Sequence, residues 1–212
     1  MIVAIDGPAG AGKSTVAKAL ASALGLPFLD TGAMYRGITW RVLDEGLAID
    51  DEEACAALAM STELSFSPEG LCVDGVLRED EVRSVEVDMA VSAVSAYSGV
   101  RKAIVPLQRA MAASAGGAVA EGRDITTVVF PGADHRFFLS ASAEERARRR
   151  TLQRGAEEDF EEVLAAIKRR DHLDSTRADS PLVRGEGVSV VETGSLGASE
   201  VVDLMLSIIH QA

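Results

Sequence analysis

The spacing of glycine, lysine and hydroxyl residues near the amino terminus is suited to holding phosphate groups. Residues Gly7 to Thr15 read GPAGAGKST and fit the pattern G-x-x-x-x-G-K-[ST]. In that pattern, backbone N–H groups converge on phosphate oxygens at a helix amino terminus, the lysine adds positive charge, and the hydroxyl can ligate Mg²⁺. The segment predicts a bound nucleotide, with Lys13 at its phosphates and Ser14 on the metal; a glycine-rich surface turn is the simpler alternative.

A phosphate loop alone does not identify the reaction, because switches, hydrolytic motors and transferases all use one. A transferase also needs a site for an acceptor, and three segments contain suitable residues. They are LDTGAMYR (29–36), GRD (122–124) and RRDHLDSTR (169–177), the last with acidic and basic side chains along one helix face. Taken singly, these segments are explained by a helix cap with a solvated arginine, a turn with a local ion pair, and a mutually paired helix face.

The charge of the chain is acidic overall but unevenly distributed. The 33 acidic and 21 basic residues give a net charge of −12, which weighs against nucleic acid or an acidic membrane as a partner. Nine of the 21 basic residues nevertheless fall between Arg146 and Arg177, which favours a local anionic ligand. No apolar run approaches the roughly 18 residues that would span a bilayer. We expect a cytoplasmic protein, and a monomer because no heptad pattern is present.

The chain alternates between short apolar runs and segments with helical spacing. The predicted strands lie at 2–5, 27–30, 117–121, 135–140 and 188–193. Each is followed by a predicted helix except the strand at 117–121, which ends in the loop GRD. Nearly continuous apolar strands in such an order indicate a parallel sheet covered on both faces, in an α/β fold. Residues 62–84 differ, with three short strand-like pieces and an Asp-Gly hairpin signal. We expect a small antiparallel insert within a single domain spanning 1–212.

Five segments, taken together and in register, resemble the bacterial cytidylate kinases, the CMP/dCMP kinases of the nucleoside monophosphate kinase family. These segments are GPAGAGKST, LDTGAMYR, EGRDITTVVFP, ASAEERARRR and RRDHLDSTRADSPL. The resemblance runs nearly end to end and includes 62–84, which is similar to the insert that enlarges the monophosphate-binding region, here 31–102. It implies a P-loop NTPase-type fold and the reaction ATP + CMP ⇌ ADP + CDP, with Mg²⁺ as cofactor and dCMP as a further acceptor.

Two other interpretations stay open from the residues. One is another small P-loop kinase that acts on AMP or on a small hydroxylated metabolite. The other is a nucleotide-dependent regulatory module, which would show no turnover that depends on an acceptor.

Matched position by position, the resemblance implies three groups of site residues. The residues expected to hold ATP are Gly7, Pro8, Ala9, Gly10, Ala11, Gly12, Lys13, Ser14, Thr15 and Arg149. Those expected to bind CMP are Thr31, Arg36, Ser92, Arg101, Arg123, Asp124 and Asp174. Those expected to act on the transferring phosphates are Lys13, Arg123, Arg170 and Arg177, and the metal ligand is Ser14.

The resemblance also implies more detailed roles within the CMP group. Ser92, Arg101 and Asp124 would contact the cytosine ring, Arg123 the phosphate and Asp174 the sugar. Neither Ser92 nor Arg101 has a signal of its own, since each is an ordinary helix residue. Glu121 departs from the aspartate of several relatives, so that either Asp30 or Glu121 would orient the water shell of the metal.

The residue types suit transfer between two phosphate groups. A carboxylate such as Asp124 accepts from the N4 amino group of cytosine but meets a carbonyl oxygen in uracil, so we expect it to select the base. Closure over ATP is expected from a short lid over residues 146–158, which would exclude water and suppress hydrolysis.

Overall fold

The computed structural model describes residues 1–154 and 159–211. The chain divides into two compact units, one formed by Met1–Leu29 with Ala112–Ala212 and the other by Asp30–Met111. The four residues 155–158 of the predicted lid lie outside the described residues, and the part of it at 146–154 belongs to a helix. The division of the chain into one domain with an insert and a lid stays a prediction.

The first unit is built on a five-stranded sheet. Its strands are β1 (Ile2–Asp6), β2 (Phe28–Asp30), β6 (Ala118–Gly122), β7 (His135–Ser140) and β8 (Ser189–Glu192). Its helices are α1 (Lys13–Leu24), α6 (Ala143–Arg154), α7 (Phe160–Thr176) and α8 (Ala198–Gln211). The strand order is β2-β6-β1-β7-β8, with β1 parallel to both β6 and β7, and β7 parallel to β8. The predicted parallel α/β fold is confirmed.

Apolar packing holds β1 at the centre of this sheet. Residues Val3 to Ile5 are fully buried, and Val3 and Ile5 belong to one apolar cluster with residues of α1 and α8, among them Leu20 and Met205. Because β1 and β6 are parallel, with Asp6 opposite Gly122, the chain leaves both strands at the same edge of the sheet. That edge is where open α/β sheets bind ligands, and both GPAGAGKST and GRD begin there.

The second unit contains helices and a separate small sheet. Its elements are α2 (Thr31–Asp44), α3 (Glu52–Ser61), β3 (Leu64–Ser67), β4 (Gly70–Val73), β5 (Val76–Leu77), α4 (Val85–Val94) and most of α5 (Ser98–Ser114). The order β3-β4-β5 is antiparallel, so the predicted meander is confirmed, with its tight turn at Asp74-Gly75. The side chain of Asp30 caps α2 by accepting the N–H of Ala33 at 2.8 Å.

The third strand of the small sheet is short. It pairs only through Val76 and Leu77, and the chain then turns into a short 3₁₀ helix at Glu81–Arg83. Within the described ranges, no helix is both long enough and apolar enough to cross a membrane.

Candidate active site

The segment Gly7 to Thr15 comprises the loop between β1 and α1 and the first residues of α1. The loop itself begins at Gly7 and ends at Gly12, and both have a backbone conformation that favours glycine. Gly7 has φ +153°, and a Cβ there would lie 2.3 Å from the carbonyl oxygen of Leu139 in β7. Gly12 has φ +88° and precedes α1 without any side-chain cap on the first helical N–H groups. The predicted strand, loop and helix are therefore present, and the uncapped helix start is suited to an anion. We call this segment the P-loop.

Lys13 and Ser14, at the start of α1, meet a carboxylate from β6. Lys13 Nζ donates to the carbonyl oxygen of Pro8 at 3.0 Å and lies 4.0 Å from Glu121 Oε2. Ser14 Oγ donates to Glu121 Oε1 at 2.5 Å. A hydroxyl beside a carboxylate is the donor set that Mg²⁺ takes together with substrate phosphates, so these two residues fit the metal that the sequence predicts.

The ammonium group of Lys13 lies in an environment that disfavours its charge. Burial, followed by the positive charges of Arg123 and Arg170, lowers the pKa of Lys13 from 10.5 to about 7, although Glu121 and Asp6 act in the opposite direction. Burial is the largest cause of this shift, and the two neighbouring guanidinium groups add to it. An anionic ligand beside Lys13 would favour the charged form of its side chain again.

A wide helical turn, Ile125–Val129, follows β6 and was not predicted. Its hydrogen bonds include Val129 N–H to Asp124 O at 3.1 Å and Phe130 N–H to Ile125 O at 2.7 Å. We call residues 122–130 the GRD turn, since it begins with Gly122, Arg123 and Asp124. The turn carries two of the predicted site residues.

Arg123 and Asp124 both form ion pairs with residues at the end of α7. Arg123 Nε donates to Asp174 Oδ2 at 2.8 Å, and Arg177 Nη2 lies 3.5 Å from Asp124 Oδ1. Burial opposes ionisation of Asp174, but the charges of Arg123, Arg170 and Arg177 outweigh it and hold the pKa of the Asp174 carboxyl below its ordinary value. The first unit thus brings Lys13, Arg123, Arg170 and Arg177 into one electrostatic cluster.

The arginines of α6 pack against the P-loop and its surroundings. The guanidinium group of Arg146 is buried, donates to the carbonyl oxygen of Ala9 at 3.0 Å and binds both carboxylate oxygens of Asp171, at 3.0 and 2.6 Å. Arg149 donates to Thr193 Oγ1 at 3.2 Å, and its Nη1 lies 4.0 Å from the Cβ that Gly12 lacks. Arg149 is therefore placed near the P-loop, as its predicted role requires.

The remaining predicted site residues lie in the second unit, on α2, α4 and α5. Thr31 is buried in the first turn of α2, and Arg36 Nη2 donates to Asp88 Oδ1 on α4 at 2.7 Å. Ser92 lies one turn beyond Asp88 on the same helix. Arg101 is buried, with its guanidinium carbon 5.4 Å from the ring centroid of Tyr35 and Nη1 donating to Ser95 O at 3.3 Å.

Three contacts within or beside the candidate site were not predicted from the sequence. Asp6 accepts hydrogen bonds from the GRD turn, Arg146 binds Asp171, and Asp88 binds Arg36. The position of Asp6 directly before the P-loop was an available signal, but its partners lie about half the chain away. A face on α7 that pairs only with itself, the alternative left open by the sequence, does not account for its carboxylates, since Asp171 binds Arg146 and Asp174 binds Arg123.

Comparison with known proteins decides among the interpretations that the residues left open. A sequence model of the cytidylate kinase family, "Cytidylate kinase", matches residues 3–211. The chain belongs to this family. A cytidylate kinase from Caldanaerobacter subterraneus subsp. tengcongensis is 46% identical over 99% of this chain and 94% of its own length. One from Mycolicibacterium paratuberculosis is 47% identical over 100% of this chain and 96% of its own length.

Family membership makes the protein a phosphotransferase, and a solved structure supports the fold. A gluconokinase from Sinorhizobium meliloti matches with a TM-score of 0.54, at 16% identity, over 99% of this chain and 91% of its own. That likeness concerns the fold alone. The P-loop and the basic cluster beside it thus belong to a kinase.

Proposed function

We propose that this protein transfers the γ-phosphoryl group of ATP to CMP and dCMP, giving CDP and dCDP. The observation that carries the proposal is the cluster of Lys13, Arg123, Arg170 and Arg177 in the first unit, in a chain of the cytidylate kinase family. Two phosphate groups must approach each other in this reaction, and such a cluster neutralises their charge.

The donor nucleotide is assigned to the P-loop. Residues Gly7 to Thr15 would hold the phosphates of ATP through backbone N–H groups and Lys13, and Arg149 would contact the nucleotide from α6. Ser14 would ligate Mg²⁺, and Glu121, whose carboxylate accepts from the Ser14 hydroxyl at 2.5 Å, lies where it could bond to water on the metal. When bound, the metal neutralises negative charge on the phosphate oxygens. Asp30 is occupied as the cap of α2 and as the partner of Arg83, so we assign the water-shell role to Glu121.

The acceptor needs no general base in this scheme. A phosphate monoester has a second pKa near ~6, so the phosphate of CMP is largely a dianion at neutral pH. One of its oxygens attacks the γ-phosphorus, the bond from that phosphorus to the β-bridging oxygen breaks, and ADP leaves. The chain therefore has to position and neutralise the reacting phosphates, which is the role assigned to Arg123, Arg170 and Arg177.

The other acceptor contacts are assigned residue by residue. Asp124 would accept from the amino group of cytosine, with Ser92 and Arg101 at the ring, Asp174 at the sugar, and Thr31 and Arg36 lining the CMP site. The carboxylate of Asp124 is buried, so an unfavourable partner such as the carbonyl of uracil is costly there. This buried position supports the assignment of base selection to Asp124.

Closure over ATP by the residues 146–158 completes the proposal. Arg146, at the start of this segment, is bonded to the P-loop carbonyl of Ala9 and to Asp171, so we place the moving part beyond it. Hydrogen exchange with and without a bisubstrate analogue tests this assignment. Unchanged protection beyond Arg146 would exclude a lid.

An assay of ADP release with ATP, Mg²⁺ and one acceptor at a time tests the function. The acceptors are CMP, dCMP, UMP and AMP, with a no-acceptor control. We expect the highest kcat/KM for CMP, a comparable value for dCMP, and little turnover without an acceptor. A higher kcat/KM for AMP than for CMP would contradict the substrate assignment. A rate of ADP release that is the same with and without an acceptor would contradict the assignment as a transferase. Size-exclusion chromatography with light scattering checks the further proposal that the protein is a monomer.

A further inference from the structure

Asp6 is a buried carboxylate that the mechanism above does not use. It is the last residue of β1, directly before the P-loop, and its side chain is fully excluded from solvent. Its sheet partner on β6 is Gly122, so its carboxylate lies beside the point where the GRD turn begins. A charged group in such a position requires hydrogen-bond partners, because unpaired burial is very costly.

All the side-chain hydrogen bonds that the structure describes for Asp6 go to the GRD turn. Oδ1 accepts the N–H of Ile125 at 2.7 Å, and Oδ2 accepts the N–H of Thr126 at 2.8 Å and the hydroxyl of Thr126 at 2.6 Å. Burial raises the pKa of Asp6, while these bonds from Thr126 and Ile125 act in the opposite direction. The two N–H groups are among the first of the helical turn, which have no partner within the turn itself.

The residue that would ordinarily satisfy the N–H of Thr126 is Asp124, which occupies the N-cap position of the turn. Asp124 makes no side-chain capping bond; its carboxylate instead lies 3.5 Å from Arg177. Asp6 therefore caps the turn from β1, 119 residues before Ile125 in the chain. The carboxylate of Asp124 is thereby directed elsewhere.

We propose that Asp6 is a positioning residue for the acceptor: by capping the GRD turn in place of Asp124, it fixes Arg123 and Asp124 in the orientation that binds CMP and selects cytosine. This inference rests on the proposed function, which assigns Arg123 to the acceptor phosphate and Asp124 to the base. It predicts that a variant without the Asp6 carboxylate binds the acceptor more weakly and discriminates less between bases. The P-loop, held by its own glycines, continues to bind ATP.

The central variant is Asp6→Asn, which keeps the size of the side chain. One amide oxygen can accept one N–H, but the NH₂ group then faces the other N–H as a second donor. We expect KM for CMP to rise roughly tenfold, as for a lost charge-assisted hydrogen bond in the buried site. The ratio of kcat/KM for CMP over UMP should fall several-fold. KM for ATP should rise by less than KM for CMP, because the charge of Asp6 also acts on Lys13.

Two further variants serve as controls. Thr126→Val removes one hydroxyl bond and keeps both N–H bonds to Asp6, so the base preference should be retained. Asp134→Asn alters an exposed carboxylate that accepts the N–H of Ile2 at 2.6 Å, near the opposite end of β1, and should leave activity unchanged. Thermal unfolding of each variant is measured in parallel. If Asp6→Asn lowers Tm and kcat while both KM values and the base ratio are unchanged, Asp6 is merely structural and the proposal is wrong.

A measurement on the wild-type protein avoids dependence on how well Asp6→Asn folds. Amide exchange in the absence of nucleotide should show Ile125 and Thr126 protected as strongly as Val119 in β6, and rapid exchange at both positions would overturn the proposal. This result does not depend on turnover. A protein with protected amides but no CMP phosphorylation would refute the proposed function, whereas an active enzyme with unprotected amides would refute only the role of Asp6.

Discussion

The P-loop and the GRD turn leave neighbouring parallel strands at the same sheet edge, yet they are held in shape by different means. The P-loop is determined by residues within it, since Gly7 and Gly12 adopt backbone conformations that other residues resist. The GRD turn is determined from outside, by the carboxylate of Asp6 on another strand. The first kind of segment can be identified from a short motif, whereas the second depends on where the fold places a distant residue.

The largest effect should come from Lys13→Met, which tests the P-loop by removing its positively charged side chain. We expect kcat to fall by roughly 100-fold to 1,000-fold, as when other preorganised transition-state contacts are removed. Lys18→Met is the matched control, because Lys18 lies on the same helix with its ammonium 5.5 Å from the centroid of the Phe28 ring. Steady-state kinetics with ATP and CMP measure both variants, and equal activity would contradict the role of Lys13.

Gly7→Ala should have the next largest effect, on stability, because the shape of the P-loop depends on its own backbone. The added Cβ would meet the carbonyl oxygen of Leu139 at 2.3 Å, and we expect a loss of roughly 2–4 kcal/mol in the free energy of unfolding. Gly132→Ala is the comparison, since nothing lies within 4 Å of its Cβ position. Urea unfolding compares the two. Similar stability for both variants would show that the loop tolerates displacement.

Asp124→Asn tests the GRD turn at the residue assigned to base choice. The amide oxygen can still accept from cytosine, but its NH₂ group can donate to the carbonyl of uracil. We expect the ratio of kcat/KM for CMP over UMP to fall by about tenfold or more. The measurement is a pair of kinetic titrations, and an unchanged ratio would remove Asp124 from base recognition.

The smallest effect concerns protonation of Lys13. Its pKa of about 7 in the folded protein lies below the 10.5 of a free lysine, so the unfolded state binds more protons between these values. This group therefore makes the nucleotide-free protein more stable as pH rises from about 7 towards 10.5. The negative charge of bound phosphates should raise the pKa of Lys13, so that its side chain takes up a proton again. Calorimetry at pH 8 in two buffers of different ionisation enthalpy should show uptake of up to about one proton with ATP and less with Lys13→Met.

The sequence predicted what local patterns can encode. The P-loop glycines and the alternation of apolar strands with helices led to the correct fold, and the resemblance supplied Ser92 and Arg101, which have no local signal. The GRD turn was missed because ITTVV is β-branched and has no helical spacing, while its stabilising carboxylate is Asp6. The hydrogen bonds from Arg146 to Asp171 were missed because these residues lie on different helices. Sequence spacing cannot show which helices the sheet brings together.

The position of β1 has a consequence for how the protein is made. It is the central strand, but the strand β6 that pairs with it begins at Ala118, and Asp171, which binds the arginine contacting Ala9, comes later still. At about 5–20 residues per second, synthesis leaves this apolar strand without these neighbours for roughly ten seconds. The nascent chain therefore cannot complete its nucleotide site until Asp171 has been translated.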